Sequence, residues 1–352
     1  MAAYISFQPK DHFNTVTYTG NGSTQSITGV GFRPDWLWIK PRSSANRHTL
    51  YDVLRGTNSI SSDSDAAQVD RSADGFTSLD SDGFTLNGSG GGGEFNANSG
   101  NYVAWNWKAG GAGSTNNDGA TASTVSASPT SGFAVVTHTG TGGATTIGHG
   151  LNATPRVIFT KMTSGSNNTF VQQPIIGGSW TSNNYISITT DNGAASASSS
   201  TIINAVTNST ISFAGSDDWV NGNGSSYVHY VFAEKNGFSK FGVYKGSGNG
   251  NGPTIYAGFK PAWFLVKKTN VSGEYWGMYD NKRNTFNDVD DALMANRTDQ
   301  EADMGDGVDF LATGIKVRDT GGELNASGAT YFYMMFAEEP TVSSNGDPAT
   351  AR

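Results

Sequence analysis

One residue pattern occurs three times along this chain and constrains its fold more than any other feature. Each copy begins with a β-branched or aromatic run that stops at Gly-x-Gly, at residues 16–22, 135–142 and 241–248. A proline motif follows. Pro34 precedes Trp36 to Lys40, Pro155 precedes Val157 to Lys161, and Pro261 precedes Ala262 to Lys267. Each copy then closes on an aromatic run that starts at Tyr102, Tyr227 or Tyr331. The separation from motif proline to closing tyrosine is 68, 72 and 70 residues, so one spacing is kept three times. A period of this kind marks a chain built from units that bury apolar surface against their neighbours.

The pieces predict strands. Gly-x-Gly after an apolar run suits a tight turn that needs positive φ. Proline is tolerated at the first residue of a strand. The apolar runs 36–39, 157–159 and 263–266 are short, bounded by turn signals and rich in aromatic and β-branched residues, which suits strands buried on both faces. The middle of the pattern also recurs, with Tyr51-Asp52 and Arg55 matching Tyr279-Asp280 and Arg283. The second copy has only residues 170–174 (Phe-Val-Gln-Gln-Pro) there and is the divergent one. Helix is poorly supported; residues 288–302 are the best stretch, and their apolar spacing is weak.

The expected fold class is therefore all-β, with three tandem β-sandwich units at 13–108, 133–236 and 237–339 in a pseudo-threefold arrangement. The first 12 residues are expected to dock onto a neighbour. Residues 109–132, rich in Gly, Ser, Thr and Asn with almost no apolar content, are expected to be a flexible linker or a long surface loop. Residues 340–352 are expected to be an extended tail.

Composition removes several classes of function. Charged residues are 15% of the chain, against roughly 25% in an ordinary domain, while aromatics at 11% argue against disorder. The net charge of -8 speaks against nucleic acid, whose binders carry basic patches. No apolar run is long enough for a membrane helix, and no secretory signal pattern is present. With no cysteine there are no disulfides, thiolate metal sites or thiol nucleophiles.

No residue set reads as a reaction centre. The histidines His12, His48, His138, His149 and His229 are scattered without metal-ligand spacing. His229 reads as a satisfied strand position and His48 as a loop residue. The glycine tract 88–93 lacks the Lys-Ser/Thr of a phosphate loop. Asp52 and Asp280 would be the carboxylates of a glycan-cleaving site, since such enzymes use a pair. Their repetition beside Arg55 and Arg283 instead suggests two structural loop pairs with charge-assisted hydrogen bonds. The acidic clusters 63–74, 288–291 and 303–309 offer oxygens that suit calcium but match no twelve-residue calcium loop. No cofactor is expected. Trp36, Trp38, Trp105, Trp107 and Trp263 read as core. Trp180, Trp219 and Trp276 lie in loop-like surroundings and are the candidates for surface contact with a glycan.

The segments 18–22, 31–40, 51–56 and 82–86, with the junction 238–242 and the start 5–11, resemble a repeat found in virion-associated proteins of marine and cyanobacterial tailed phages. The resemblance covers nearly the whole chain and is strongest in the first and third copies. It implies a tail-fibre-like component of the particle that contacts the host surface, or else a capsid-decorating protein, and it transfers no catalytic residue. The implied partners are other virion proteins and a host-surface glycan, with several copies in the particle and no nucleic acid or membrane insertion. The repeat is similar to concanavalin-like sandwiches, which makes glycan contact an analogy of fold.

Overall fold

The computed structural model describes residues 7–88, 92–167, 170–172, 180, 184–196 and 202–338. Residues 1–6 of the docking segment, the middle of the glycine tract, Gln173-Pro174 and the tail 340–352 lie outside the described residues. Fold class is all-β; the helical structure among the described residues is confined to the turn Pro9–Asp11 and to Trp180.

The first stretch holds β1 (Phe13–Thr19), β2 (Gln25–Thr28), β3 (Trp36–Pro41), β4 (Thr49–Asp52), β5 (Asn58–Ser59), β6 (Val69–Asp70), β7 (Phe76–Asp80), β8 (Gly83–Leu86) and β9 (Asn101–Trp107). Then come β10 (Ser114–Asn116) and β11 (Ser123–Ser128). The second holds β12 (Phe133–Thr139), β13 (Thr145–Gly148), β14 (Val157–Met162), β15 (Phe170–Gln172), β16 (Asn184–Ser187), β17 (Ala195–Ser196), β18 (Ile203–Val206), β19 (Thr210–Phe213) and β20 (Ser226–Phe232). The third holds β21 (Ser239–Lys245), β22 (Thr254–Tyr256), β23 (Pro261–Lys268), β24 (Trp276–Asp280), β25 (Val289–Met294), β26 (Ala302–Leu311), β27 (Gly314–Val317) and β28 (Thr330–Ala337).

The antiparallel pairing follows one order in all three stretches. The Gly-x-Gly strand pairs with the closing strand, which pairs with the proline-motif strand and so on to the strand that carries Tyr-Asp in the first and third stretches: β1-β9-β3-β4, β12-β20-β14-β15 and β21-β28-β23-β24. A smaller group, β2-β8-β7, β13-β19-β18 or β22-β27-β26, accompanies each. In the third stretch β25 joins the two groups into one eight-stranded sheet.

Strand alternation sends successive side chains to opposite faces, and here both faces are used. In the first stretch Leu37, Ile39, Tyr51 and Ala104 pack against Ile27, Phe84 and Leu86 of the smaller sheet. In the second, Ala134, Val136, Ile158 and Val231 pack against Ile147, Ile211 and Phe213. The opposite faces, carrying Trp36, Trp105, Phe159, Tyr230, Trp263 and Met334, meet in one core that all three stretches share. Rings join across it: Trp36 to Tyr230 at 4.4 Å, Trp107 to Trp263 at 5.5 Å and Phe232 to Phe336 at 5.9 Å between centroids. This explains why the proline-motif strands are apolar at nearly every position.

One expectation needs correction. Residues 109–132 are not a free linker. β11 pairs along β12 and β10 along β11, which extends the second sheet by a hairpin. Val125 is buried there, and Asp35 Oδ2 anchors the start by accepting from the Ala109 and Gly111 amides. The open edge of β12 supplies backbone partners, so small hydroxyl residues form strand without an apolar stripe. The stretch 288–302, where helix is poorly supported by the sequence, holds β25 and the first residue of β26 with a turn between them.

Candidate functional site

The recurring polar residues go first to holding the three stretches together. Trp36, Val157 and Trp263 pair with Trp107, Phe232 and Phe336, each the sixth residue from a closing tyrosine, so Lys40, Lys161 and Lys267 are equivalent. All three are fully buried. Each ammonium donates to a carbonyl of another stretch: Lys40 to Thr298 (3.0 Å), Lys161 to Ser64 (3.1 Å) and Lys267 to Asp191 (3.2 Å). Each also donates within its own stretch, to the Asn46, Asn167 and Lys268 carbonyls. Two residues on from each lysine, the Arg42, Thr163 and Thr269 carbonyls accept from the Glu301, Gln68 and Ala194 amides of the same neighbours. First contacts third, second contacts first and third contacts second, so the contacts close a ring. Burial pushes each of the three lysines down to about 8, with acidic neighbours (Asp63 and Asp299, Asp65, Asp191 and Glu274) opposing the shift.

The two Tyr-Asp loops join the same ring. Asp52 accepts from the Leu54 and Arg55 amides, from Arg55 Nε at 2.6 Å and from the Tyr230 hydroxyl of the second stretch at 2.8 Å. Asp280 accepts from the Lys282 and Arg283 amides, from Arg283 Nε at 2.6 Å and from Trp105 Nε1 of the first stretch at 3.0 Å. Tyr230 and Trp105 are each the fourth residue from a closing tyrosine start; Met334 stands there in the third. Both aspartates are fully buried. The loop-pair assignment of Asp52–Arg55 and Asp280–Arg283 thus describes ion pairs that also lock neighbouring units.

Sequence reasoning missed a further set. Asn96, Asn221 and Asn325, each six residues before a closing tyrosine, are completely buried. Their Oδ1 atoms accept from the Asn21, Thr141 and Ser247 amides, inside the Gly-x-Gly turns. Their Nδ2 groups donate to turn carbonyls, Ser23, Gly143 and Asn249. The closing tyrosine hydroxyls complete the corner by donating to the Gly93, Asp218 and Gly322 carbonyls, nine residues back. One residue type at one offset in all three copies was the available signal.

Of the three surface-contact tryptophans, Trp276 is placed otherwise than expected. Trp276 is fully buried at the start of β24, and its Nε1 donates to the Ser187 carbonyl at 3.0 Å. Trp180 and Trp219 are half-buried against the second stretch's core, with Trp219 edge-on to Tyr185. Indoles of this size are drawn into the core when a partner for the N–H is in reach. His229 is buried in β20, bonded to Thr160 Oγ1 and His138 Nδ1. His48 lies in a loop yet is fully buried, its Nδ1 accepting from Trp38 Nε1 and its Nε2 donating to the Met294 carbonyl, which fixes the Nε2–H tautomer. Desolvation holds His229 and His48 well below the ordinary histidine value. Among the described residues, no group of three His, Asp or Glu side chains could hold a metal.

A further feature is an open groove of about 510 Å³ between the first and second stretches. Leu54, Arg55, Asn58 and Gln68 line one side; Thr115, Ser123, Thr124, Thr137, Thr139 and Ser226 line the other. The added hairpin forms much of that second wall. The Arg55 guanidinium is occupied by Asp52, the Leu50 and Asn58 carbonyls and the Tyr230 hydroxyl, so the lining is polar and electrically balanced.

Fold and site together define an all-β protein of sandwich units closed around a common aromatic core, with a hydroxyl-lined groove between the first and second stretches. The chain belongs to the family described as a domain of unknown function, DUF7483, whose profile matches residues 8–340. No curated protein and no solved structure matches it.

Proposed function

We propose that this protein is a non-enzymatic structural component of a tailed-phage particle, a tail-fibre-like module that contacts the host surface and assembles with other virion proteins. The observation that carries this reading is how the strongest polar groups are used. Asp52 and Asp280 are the pair that a glycan-cleaving site would need. Each is buried and accepts from three donors on its own loop and one on a neighbouring unit. A carboxylate so saturated supports a bracing role over acid–base work. The resemblance of the repeat to virion-associated proteins supplies the particle context. The test is adsorption of the purified, labelled chain to cells of the phage host, together with antibody labelling of intact particles. Saturable adsorption and tail labelling are expected; a chain that adheres to no host cell removes the surface-contact reading.

The ring-like closure favours one second reading, capsid decoration, because a body of three similarly paired stretches suits a threefold lattice position. Gel stoichiometry of purified particles separates the two. Hundreds of copies per particle indicate decoration, and a handful indicates a tail appendage.

A further inference from the structure

We infer that the groove between the loop after β4 and the β10–β11 hairpin is a binding site for an uncharged oligosaccharide. This rests on the surface-contact reading above and gives it a place on the molecule. Thr115 pairs with Thr124 and Thr124 with Thr137, so three adjacent strands bring hydroxyls to one row. Thr139 pairs with Ser226 two residues along. Adjacent strands lie about 4.8 Å apart, so the row presents hydroxyls at that interval to a chain laid across it. None of these five hydroxyls has a hydrogen-bond partner among the described residues. Gln68 Oε1, in the same groove, is shielded from solvent and meets no donor among them.

The chemistry of the lining selects the ligand. Hydroxyls donate and accept, and a glutamine amide does both, so the matching partner carries many groups that also do both. No carboxylate lines the groove to attract a cation. The one guanidinium spends four of its five N–H groups on Asp52, Tyr230 and two carbonyls, and its charge is answered by Asp52, so the groove presents no unbalanced cation to a phosphate or carboxylate. The volume lies within the roughly 300–1,000 Å³ of small-ligand sites. A sugar chain satisfies all three conditions.

The groove also stands outside the repeated scheme. β1 and β21, the counterparts of β12, are edge strands, whereas β12 carries β11 and β10 on its outer side. Ring closure recurs at every junction, and the hairpin is present at one. Structure that closure does not require is where a binding function is to be sought.

The experiment is calorimetric titration of the full chain with uncharged trisaccharides of glucose, mannose, galactose and N-acetylglucosamine. A trisaccharide of galacturonic acid serves as the charged control, and the double variant T124V/T137V removes two hydroxyls while keeping shape. At least one uncharged sugar is expected to bind, with the double variant weakening it roughly tenfold or more at an unchanged thermal midpoint. No binding by any uncharged sugar, stronger binding of the charged control, or undiminished binding by the double variant overturns the inference. If the variant still adsorbs to host cells as well as the parent, the groove assignment falls and surface contact stands. If the parent itself adsorbs to no cell, surface contact falls as well.

Discussion

Asp52 shows why the polar residues of this chain cannot be exchanged one at a time. It answers the charge of Arg55, whose side chain is 5% exposed, and it holds the Tyr230 hydroxyl of the neighbouring stretch. Asp52→Ala leaves a buried guanidinium without its counter-charge, and loss of one partner of a buried pair costs about 3–5 kcal/mol. Urea denaturation is expected to read a loss of that size. Tyr230→Phe removes one hydroxyl that both donates to Asp52 and accepts from Arg55, with an expected loss of about 1–3 kcal/mol. Because the three groups share one network, the double variant is expected to lose less than the two single losses together. Additive losses would mean that the contact across the junction does not bear on stability. Asn221→Ala is expected to cost about 1–3 kcal/mol by stranding the buried turn groups it serves.

At the scale of elements, the proline-motif strands end in the lysines that reach into neighbouring units. Burial depresses each to about 8, from 10.5 in the unfolded chain. Between those values the unfolded chain holds more protons than the folded one, so stability rises with pH across that window. Below about 8 the cost of the buried charge is fully present. Buried tyrosines such as Tyr51 and Tyr279, whose ionisation burial pushes up from 10.0, set the upper limit, because the unfolded chain alone loses those protons above it. The urea midpoint is therefore expected to be higher at about pH 9.5 than at about pH 7, and replacing the three lysines by methionine is expected to flatten the difference. An unchanged or falling midpoint in the parent would show that the ammonium groups are not desolvated as described.

These elements also show what was legible in the sequence. The strands around Trp36, Val157 and Trp263 could be read because aromatic and β-branched runs between turn signals carry their own evidence. The aspartate–arginine pairs could be read because both partners lie three residues apart. The lysines were visible only as strand ends, since their partners are backbone carbonyls of another unit and a carbonyl leaves no trace in sequence. β11 was hidden for a related reason, because its strand state comes from the edge of β12 more than from its own side chains. Trp276 looked exposed because its surroundings read as loop-like, yet it starts β24 and its indole N–H meets the Ser187 carbonyl inside.

The whole molecule follows from the use of both faces of each main sheet. One face completes a sandwich within a unit; the other, carrying residues such as Phe159, Tyr230 and Phe232, needs the neighbouring units to cover it. A fragment spanning residues 133–236 alone would expose that face, and exposed apolar patches of this kind drive association. It is expected to aggregate or to lack fixed side-chain signals in NMR. A well-dispersed monomer spectrum would show that one unit is self-sufficient. The closed set of lysine, carbonyl and aspartate contacts means that loosening one junction should loosen all three. Hydrogen exchange followed by mass spectrometry along a urea series tests this most directly, using peptides from β9, β20 and β28. The interlocked ring predicts that protection in the three closing strands is lost at one common midpoint, and that Asp52→Ala moves all three together. Separate midpoints, with the variant affecting the first and second stretches alone, would contradict it.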